Sequence, residues 1–154
     1  MDTSTNLPML NFPSFSFRMK KVGEKHEIFD IVRKKYVSLT PEEWVRQHLI
    51  HYFHHCKGYP LELMQVEGSI SVNGLPRRFD LVIFDRSLSP FLLAECKQPL
   101  VSITQKTFDQ ACIYNLTLNV PYLLITNGLK HYCFSLVEAE QRFEYHAEIP
   151  DIPK

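Results

Sequence analysis

Residues 92–97 read Leu-Leu-Ala-Glu-Cys-Lys, an apolar run that ends in an acid and an amine two positions apart. Strand side chains alternate faces, so Glu95 and Lys97 project to one side and Ala94 and Cys96 to the other. An acid and an amine at the end of an apolar run are costly to bury unless they pair or hold an ion. A second apolar run, residues 78–84, reads Arg-Phe-Asp-Leu-Val-Ile-Phe and sets another carboxylate, Asp80, in similar surroundings. Two carboxylates and a lysine on neighbouring strands could bind a divalent metal and activate a water beside it. The bland reading of the same residues is a surface ion pair, Glu95 with Lys97 or Asp80 with Arg78.

Other chemistries find less support. His48, His51, His54 and His55 with Cys56 invite a transition-metal site, because His51 and His55 are one turn apart. The glutamate of H-E-x-x-H is missing and the histidines straddle more than one face, so a partly exposed helix end is the expectation. The four cysteines are widely spaced, with no C-x-x-C pair, and three lie in apolar runs where a reduced cysteine acts as a small hydrophobe. Ser102 and Ser135 sit in no nucleophile elbow, and no glycine-rich phosphate loop occurs.

At 154 residues, with 45% hydrophobic and 22% charged residues, the chain fits one globular domain with a sizeable core. Its formal net charge is zero, which argues against strong nonspecific nucleic-acid binding but leaves room for a local basic cleft. No apolar stretch approaches the roughly 20 residues of a spanning helix. The amino terminus lacks the basic and apolar regions of a secretory signal, so the cytoplasm is the default expectation.

The elements that must position Asp80, Glu95 and Lys97 follow from pattern. Residues up to about 11 read as a polar lead, and the aromatic, proline-interrupted residues 12–17 as an arm packed on the domain. Residues 17–22 and 27–32 form a possible hairpin, extended by residues 34–37. Lys20, Lys21, Arg33, Lys34 and Lys35 could touch phosphates there, although a solvated strand face is the plainer reading. Thr40-Pro-Glu-Glu43 starts a helix, with Thr40 as N-cap and Glu43 closing a capping box. That helix runs to about Phe53 and turns Val45, Leu49, Tyr52 and Phe53 to the core. Residues 61–72 and 77–84 are strands joined by Asn73-Gly74, the strongest hairpin signal in the chain. A loop leads to a strand over residues 91–97. A second helix spans 104–118, with Phe108, Ala111, Cys112 and Leu116 as core contacts, and strands 121–126 and 131–136 follow around Asn127-Gly128. The expected domain is 17–137, between an arm (1–16) and an exposed charged tail (138–154). The fold class is α/β, a mixed sheet flanked by helices.

This order, with Asp80 on the second core strand and Glu95-x-Lys97 on the third, resembles the PD-(D/E)XK nuclease superfamily. More narrowly, the chain resembles the amino-terminal nuclease domain of type I restriction enzyme R subunits and small stand-alone proteins built from it. The matching segments are Pro41-Glu-Glu-Trp-Val-Arg-Gln47, Val66-Glu67, Asn73-Gly74, Arg78-Phe-Asp-Leu-Val82, Leu93-Ala-Glu-Cys-Lys97, Phe108-Asp-Gln110 with Tyr114-Asn115, and Ile125-Thr-Asn-Gly128. The resemblance implies a restriction-endonuclease-like α-β-β-β-α-β core and metal-dependent hydrolysis of DNA phosphodiester bonds. Mg2+ or Mn2+ would be held by Asp80 and Glu95, with the Cys96 carbonyl as a third oxygen, and Lys97 would orient the attacking water. It makes Glu43 the helix carboxylate that binds a second metal or a metal-bound water, where the capping box explains the same residue structurally. Arg46 would touch phosphate or pair with Glu43. Gln110 would support the lysine or the DNA backbone, and Tyr114 and Arg78 would contact nucleic acid. Similar nucleases often act as dimers, so a homodimer is an expected partner besides DNA. The family's full-length subunit carries a helicase motor that this sequence lacks, so ATP-driven translocation is expected from a restriction or helicase partner subunit. A non-catalytic binding or assembly module on the same fold is the alternative.

Overall fold

The computed structural model describes residues 6–72 and 74–152. Two sheets and two helices build it. The first sheet is an antiparallel meander of β1 (Met19–Val22), β2 (Lys25–Asp30) and β3 (Lys35–Ser38). Helix α1 (Pro41–His51) follows directly and continues as a π-helical turn, Tyr52–Cys56. The second sheet has six strands in chain order: β4 (Met64–Val72), β5 (Leu75–Phe84), β6 (Pro90–Cys96), β7 (Tyr122–Thr126), β8 (His131–Val137) and β9 (Arg142–His146). All neighbours pair antiparallel except β6 and β7, which are parallel and joined through helix α2 (Gln105–Leu118). A parallel pair needs such a crossover, whereas the antiparallel pairs are joined by short connections. The expected mixed sheet flanked by helices is the observed one.

Alternation sorts the apolar residues of the large sheet into two cores. Leu81, Ile83, Leu92, Ala94 and Leu124 pack with Val45, Leu49, Ile50 and Phe53 of the α1 segment. Their strand neighbours Val82, Leu93, Leu123 and Ile125 pack with Ala111 of α2. Central strands buried on both faces read as continuous apolar runs, which is why the sequence around Asp80 and Glu95 shows so little polar interruption. Of the other expected core residues, Phe108 and Cys112 pack at the margin of the second core. Tyr52 is only half-buried, and the side chain of Leu116 lies outside the described residues. The Asn73 half of the Asn73-Gly74 turn lies outside them too, while Gly74 has the positive φ of 78° that such a turn requires.

Both chain ends depart from the expected plan. Residues 142–146 form the sixth strand, paired to β8, where an exposed tail was expected. Tyr59 Oη donates to the Pro150 carbonyl, and Ile149 and Ile152 pack on the main core. At the other end Leu10 is buried in that core and the Asn11 N–H donates to the Gly128 carbonyl at 2.8 Å. Gly128, at φ 87°, leaves room for this approach, because a Cβ there would lie 2.8 Å from Leu10 Cδ2.

Candidate functional site

Asp80 and Glu95 sit where β6 ends and β5 runs on beside β4. In the β5–β6 ladder Leu81 lies opposite Ala94, and one step further along that register Asp80 lies opposite Glu95. Asp80 Oδ2 accepts the Cys96 N–H at 2.7 Å, standing in for the backbone carbonyl of a ladder that has stopped. Lys97 Nζ is 3.4 Å from Glu95 Oε1, and the Lys97 N–H is anchored on the Thr126 carbonyl at 2.8 Å. Burial pushes the Glu95 carboxyl up to about 7, the Asp80 charge pushes it the same way, and Lys97 works against both. Glu95 therefore exchanges its proton near neutral pH. The Glu95–Lys97 ion pair of the bland reading exists, but Asp80 does not pair with Arg78. The Arg78 side chain is 78% exposed and among the described residues reaches Glu67, at 3.9 Å.

Arg46 fills the space between this pair and α1. Its Nη2 lies 3.1 Å from Asp80 Oδ1 and 3.6 Å from Glu42 Oε1. Its Nη1 lies 2.9 Å from Glu43 Oε2 and 3.1 Å from Glu67 Oε1. Burial alone would disfavour the charge of this guanidinium, but the surrounding carboxylates outweigh that and hold it protonated. Of the two roles expected for Arg46, the pair with Glu43 is present.

Glu43 makes half of its capping box. Thr40 Oγ1 accepts the Glu43 N–H at 3.0 Å, but the Thr40 N–H donates to the Ser38 carbonyl instead of to the glutamate. The Glu43 carboxylate lies between Arg46 and Arg33, whose Nη2 is 2.6 Å from Oε1. Glu42, one residue earlier, feels Asp80 and Lys97 more directly. Burial raises its carboxyl, Asp80 adds to the rise, and Lys97 is among the cations that oppose it. Glu42 in turn contributes to the raised Glu95. The helix carboxylate in the field of Asp80, Glu95 and Lys97 is thus Glu42.

Two further residues, to which the family resemblance gives no role, join the cluster. Glu67 takes a left-handed φ of 50° inside β4, a strain that non-glycine residues rarely bear and that clusters at functional sites. Its carboxylate bridges Arg46 and Arg33, the latter at 3.2 Å. Arg33, expected on a solvated face, is instead mostly buried and also binds Asp30 at 2.8 Å. The contacts of Glu67 with Arg33 and Arg46 are not local in sequence, so only the folded geometry reveals them. A cleft of about 550 Å³ opens beside the cluster, lined by Arg33, Glu42, Glu43, Arg46, Glu67 and Gln98 among others.

The remaining expected residues lie apart or undescribed. Gln110 is exposed on α2 and makes none of the polar contacts above. The Tyr114 side chain lies outside the described residues. The helix end is partly exposed, as expected: His55 and Cys56 are exposed, while His48 and His51 are buried with Phe17 of the arm against both rings at 4.7 and 4.6 Å. Burial and the neighbouring histidines push His51 down to about 4. Among the described residues no group of three or more His, Cys, Asp or Glu side chains is placed to hold a metal ion. All four cysteines are free thiols. No helix among the described residues is long and apolar enough to cross a membrane.

The family model of the type I restriction enzyme R protein N terminus (HSDR_N) matches residues 41–153. The chain belongs to that family. HSDR_N membership sets it in a restriction–modification context. The matched segment opens at Pro41, the first residue of α1, and takes in both helices and the six-stranded sheet. The arm and the β1–β3 sheet precede the HSDR_N match. No curated protein and no solved structure matches the chain.

Proposed function

We propose that the chain is a divalent-metal-dependent nuclease domain of the PD-(D/E)XK type, which hydrolyses phosphodiester bonds in DNA. The observation that carries this reading is the meeting of Asp80, Glu95 and Lys97 at the end of β6, beside a cleft. The donor set fits magnesium or manganese. Both carboxylates offer hard oxygens, and magnesium binds through one or two carboxylates while keeping several waters. Two acids this close also raise the Glu95 carboxyl, a cost that a cation would relieve. Asp80 and Glu95 would hold the ion. The Cys96 N–H points to β5, and in an extended residue the carbonyl faces the same edge, so Cys96 offers a third oxygen there. A bound ion supplies an acidified water and neutralises charge on the phosphate.

The chain's own residues do the rest. Lys97 holds the attacking water by a hydrogen bond and stabilises negative charge on the phosphate oxygens. In the metal-free chain Glu95 holds a proton up to about neutral pH, which a cation bound there would displace. Glu42 adds negative charge beside the pair, and Glu43 positions Arg46 against Asp80. Gln110, Tyr114 and Arg78 are assigned to the nucleic-acid backbone. Plasmid, linear and single-stranded DNA, each with Mg2+ or Mn2+, give the test. Metal-dependent cutting by the wild type and its loss, by at least about a hundredfold, in Lys97→Ala are expected. Equal cutting by both proteins would remove Lys97 from the mechanism.

Arg46 favours a second reading. Its guanidinium already neutralises Asp80, which suits a binding or assembly module that keeps the nuclease fold without turnover. Calorimetric titration with Mg2+ separates the two. Binding that depends on Asp80 and Glu95 supports the nuclease, and no binding supports the module.

A further inference from the structure

Although the chain is neutral overall, residues 18–35 contain seven Lys and Arg against three Asp and Glu. The register of the β1–β3 sheet divides them between faces. Ile28 and Asp30 are buried on the inner face. Lys20 opposite Glu27, Val22 opposite Lys25, and Phe29 opposite Tyr36 define the outer one. Arg18 joins this face, with its guanidinium 4.2 Å above the Phe29 ring, and Lys20 Nζ lies 4.3 Å from the Tyr36 ring. Such contacts hold the two cations in place, which lowers the entropy lost when they bind an anion. Lys34, exposed in the turn before β3 at φ 58°, sits at the corner of the same sheet. Downstream, Val37 and Ser38 of β3 form part of the wall of the 550 Å³ cleft.

We propose that this outer face binds the sugar–phosphate backbone of duplex DNA and leads it to the cleft. The proposal rests on the nuclease reading and supplies what the cleft lacks: its lining sets Glu42, Glu43 and Glu67 against Arg33 and Arg46, which are already ion-paired there, so no free cation of that set greets a polyanion. Complementary charge beside the cleft steers association. The arrangement selects backbone over bases. Phe29 and Tyr36 are covered by Arg18 and Lys20, so they offer no open platform on which single-stranded bases stack. These residues lie before the segment matched by the family, so the family match assigns them nothing.

Binding of the full chain to a labelled duplex, measured by fluorescence anisotropy in chelator over a series of salt concentrations, tests this surface without cleavage. A triple variant, Lys20→Gln with Lys25→Gln and Lys34→Gln, is compared with an equally neutralising control, Arg86→Gln with Lys106→Gln and Lys130→Gln. The first is expected to bind about tenfold more weakly or worse. Its slope of log affinity against log salt should shrink by about 3, near 0.9 per lost phosphate contact. The control should keep the wild-type slope. Equal losses in both triples, no duplex binding by the wild type at low salt, tighter binding of single strands, or equal displacement by polyglutamate would each overturn the proposal. Circular dichroism checks the fold, and the single variants Lys25→Gln and Lys34→Gln carry the same comparison if the triple unfolds. A wild type that binds but never cuts rejects the nuclease reading alone, and a triple that binds normally rejects the interface alone.

Discussion

The fold disfavours the charged form of Glu95. Its carboxyl titrates near 7 in the folded chain against 4.5 for an unperturbed glutamate, with burial first and Asp80 second among the causes. The folded state thus keeps a proton that the unfolded state releases between those values, and stability falls as pH rises through that window. Glu95→Gln removes the penalty. The variant should match the wild type below pH 4.5 and exceed it above pH 7, by on the order of 2–3 kcal/mol. Saturating Mg2+ should reverse the ranking, stabilising the wild type at pH 8 and leaving the variant unmoved. Calorimetric melting at pH 5 and pH 8, with and without Mg2+, reads both effects. A metal-free wild type more stable than the variant at pH 8 would mean that Glu95 is ionised and satisfied by Lys97, and the case for a cation at this spot would collapse.

At the scale of elements, the β1–β3 sheet docks on α1 through a buried polar joint. Asp30 accepts the Val32 and Arg33 N–H groups, Arg33 Nε and Gln47 Nε2, all at 2.8 Å. Burial pushes its carboxyl up, but these donors and the Arg33 charge outweigh that and hold it below 3.8. Asp30→Asn turns an amide toward two donors and leaves Arg33 short of a partner. Breaking such a buried pair should cost about 3 kcal/mol, read by urea unfolding. A carboxyl with a depressed value stabilises the fold above its unfolded value and loses that contribution as pH falls, so the deficit of the variant should shrink below about pH 4. A loss under about 1 kcal/mol would show that Ile28 and its apolar neighbours carry the docking. This joint also marks where sequence stops being informative. Helix α1, the Gly74 turn and the Asp80 and Glu95 strands are legible because caps, turn residues and apolar alternation are local signals. Arg33 meets Glu43 ten residues away and Glu67 thirty-four away, and nothing local records such pairings. The second partner of Glu43 was illegible for the same reason, since Arg33 reaches it only through the fold.

For the whole molecule, the question is where the folding unit ends. Charge and proline suggest an exposed tail after residue 137, because Arg142-Phe-Glu-Tyr-His146 alternates weakly and carries ions on an edge strand, where they are tolerated. Yet β9 closes the sheet edge at β8, and its aromatic residues complete clusters begun elsewhere. Phe143 lies 5.8 Å from Phe108 of α2, and Tyr145 lies 5.8 Å from Phe134. Beyond the strand, Tyr59 Oη reaches Pro150, which ties the end of the chain to the main core. Truncation after Val137 removes all of these contacts together and bares the β8 edge and the second apolar core. Uncovering an edge strand and an aromatic cluster at once invites pairing with other copies. The shortened chain should melt at least several degrees lower and scatter light increasingly with concentration, whereas the full chain should not. If it instead melts with the full chain and stays monodisperse, β9 is an appendage and the folding unit closes at β8.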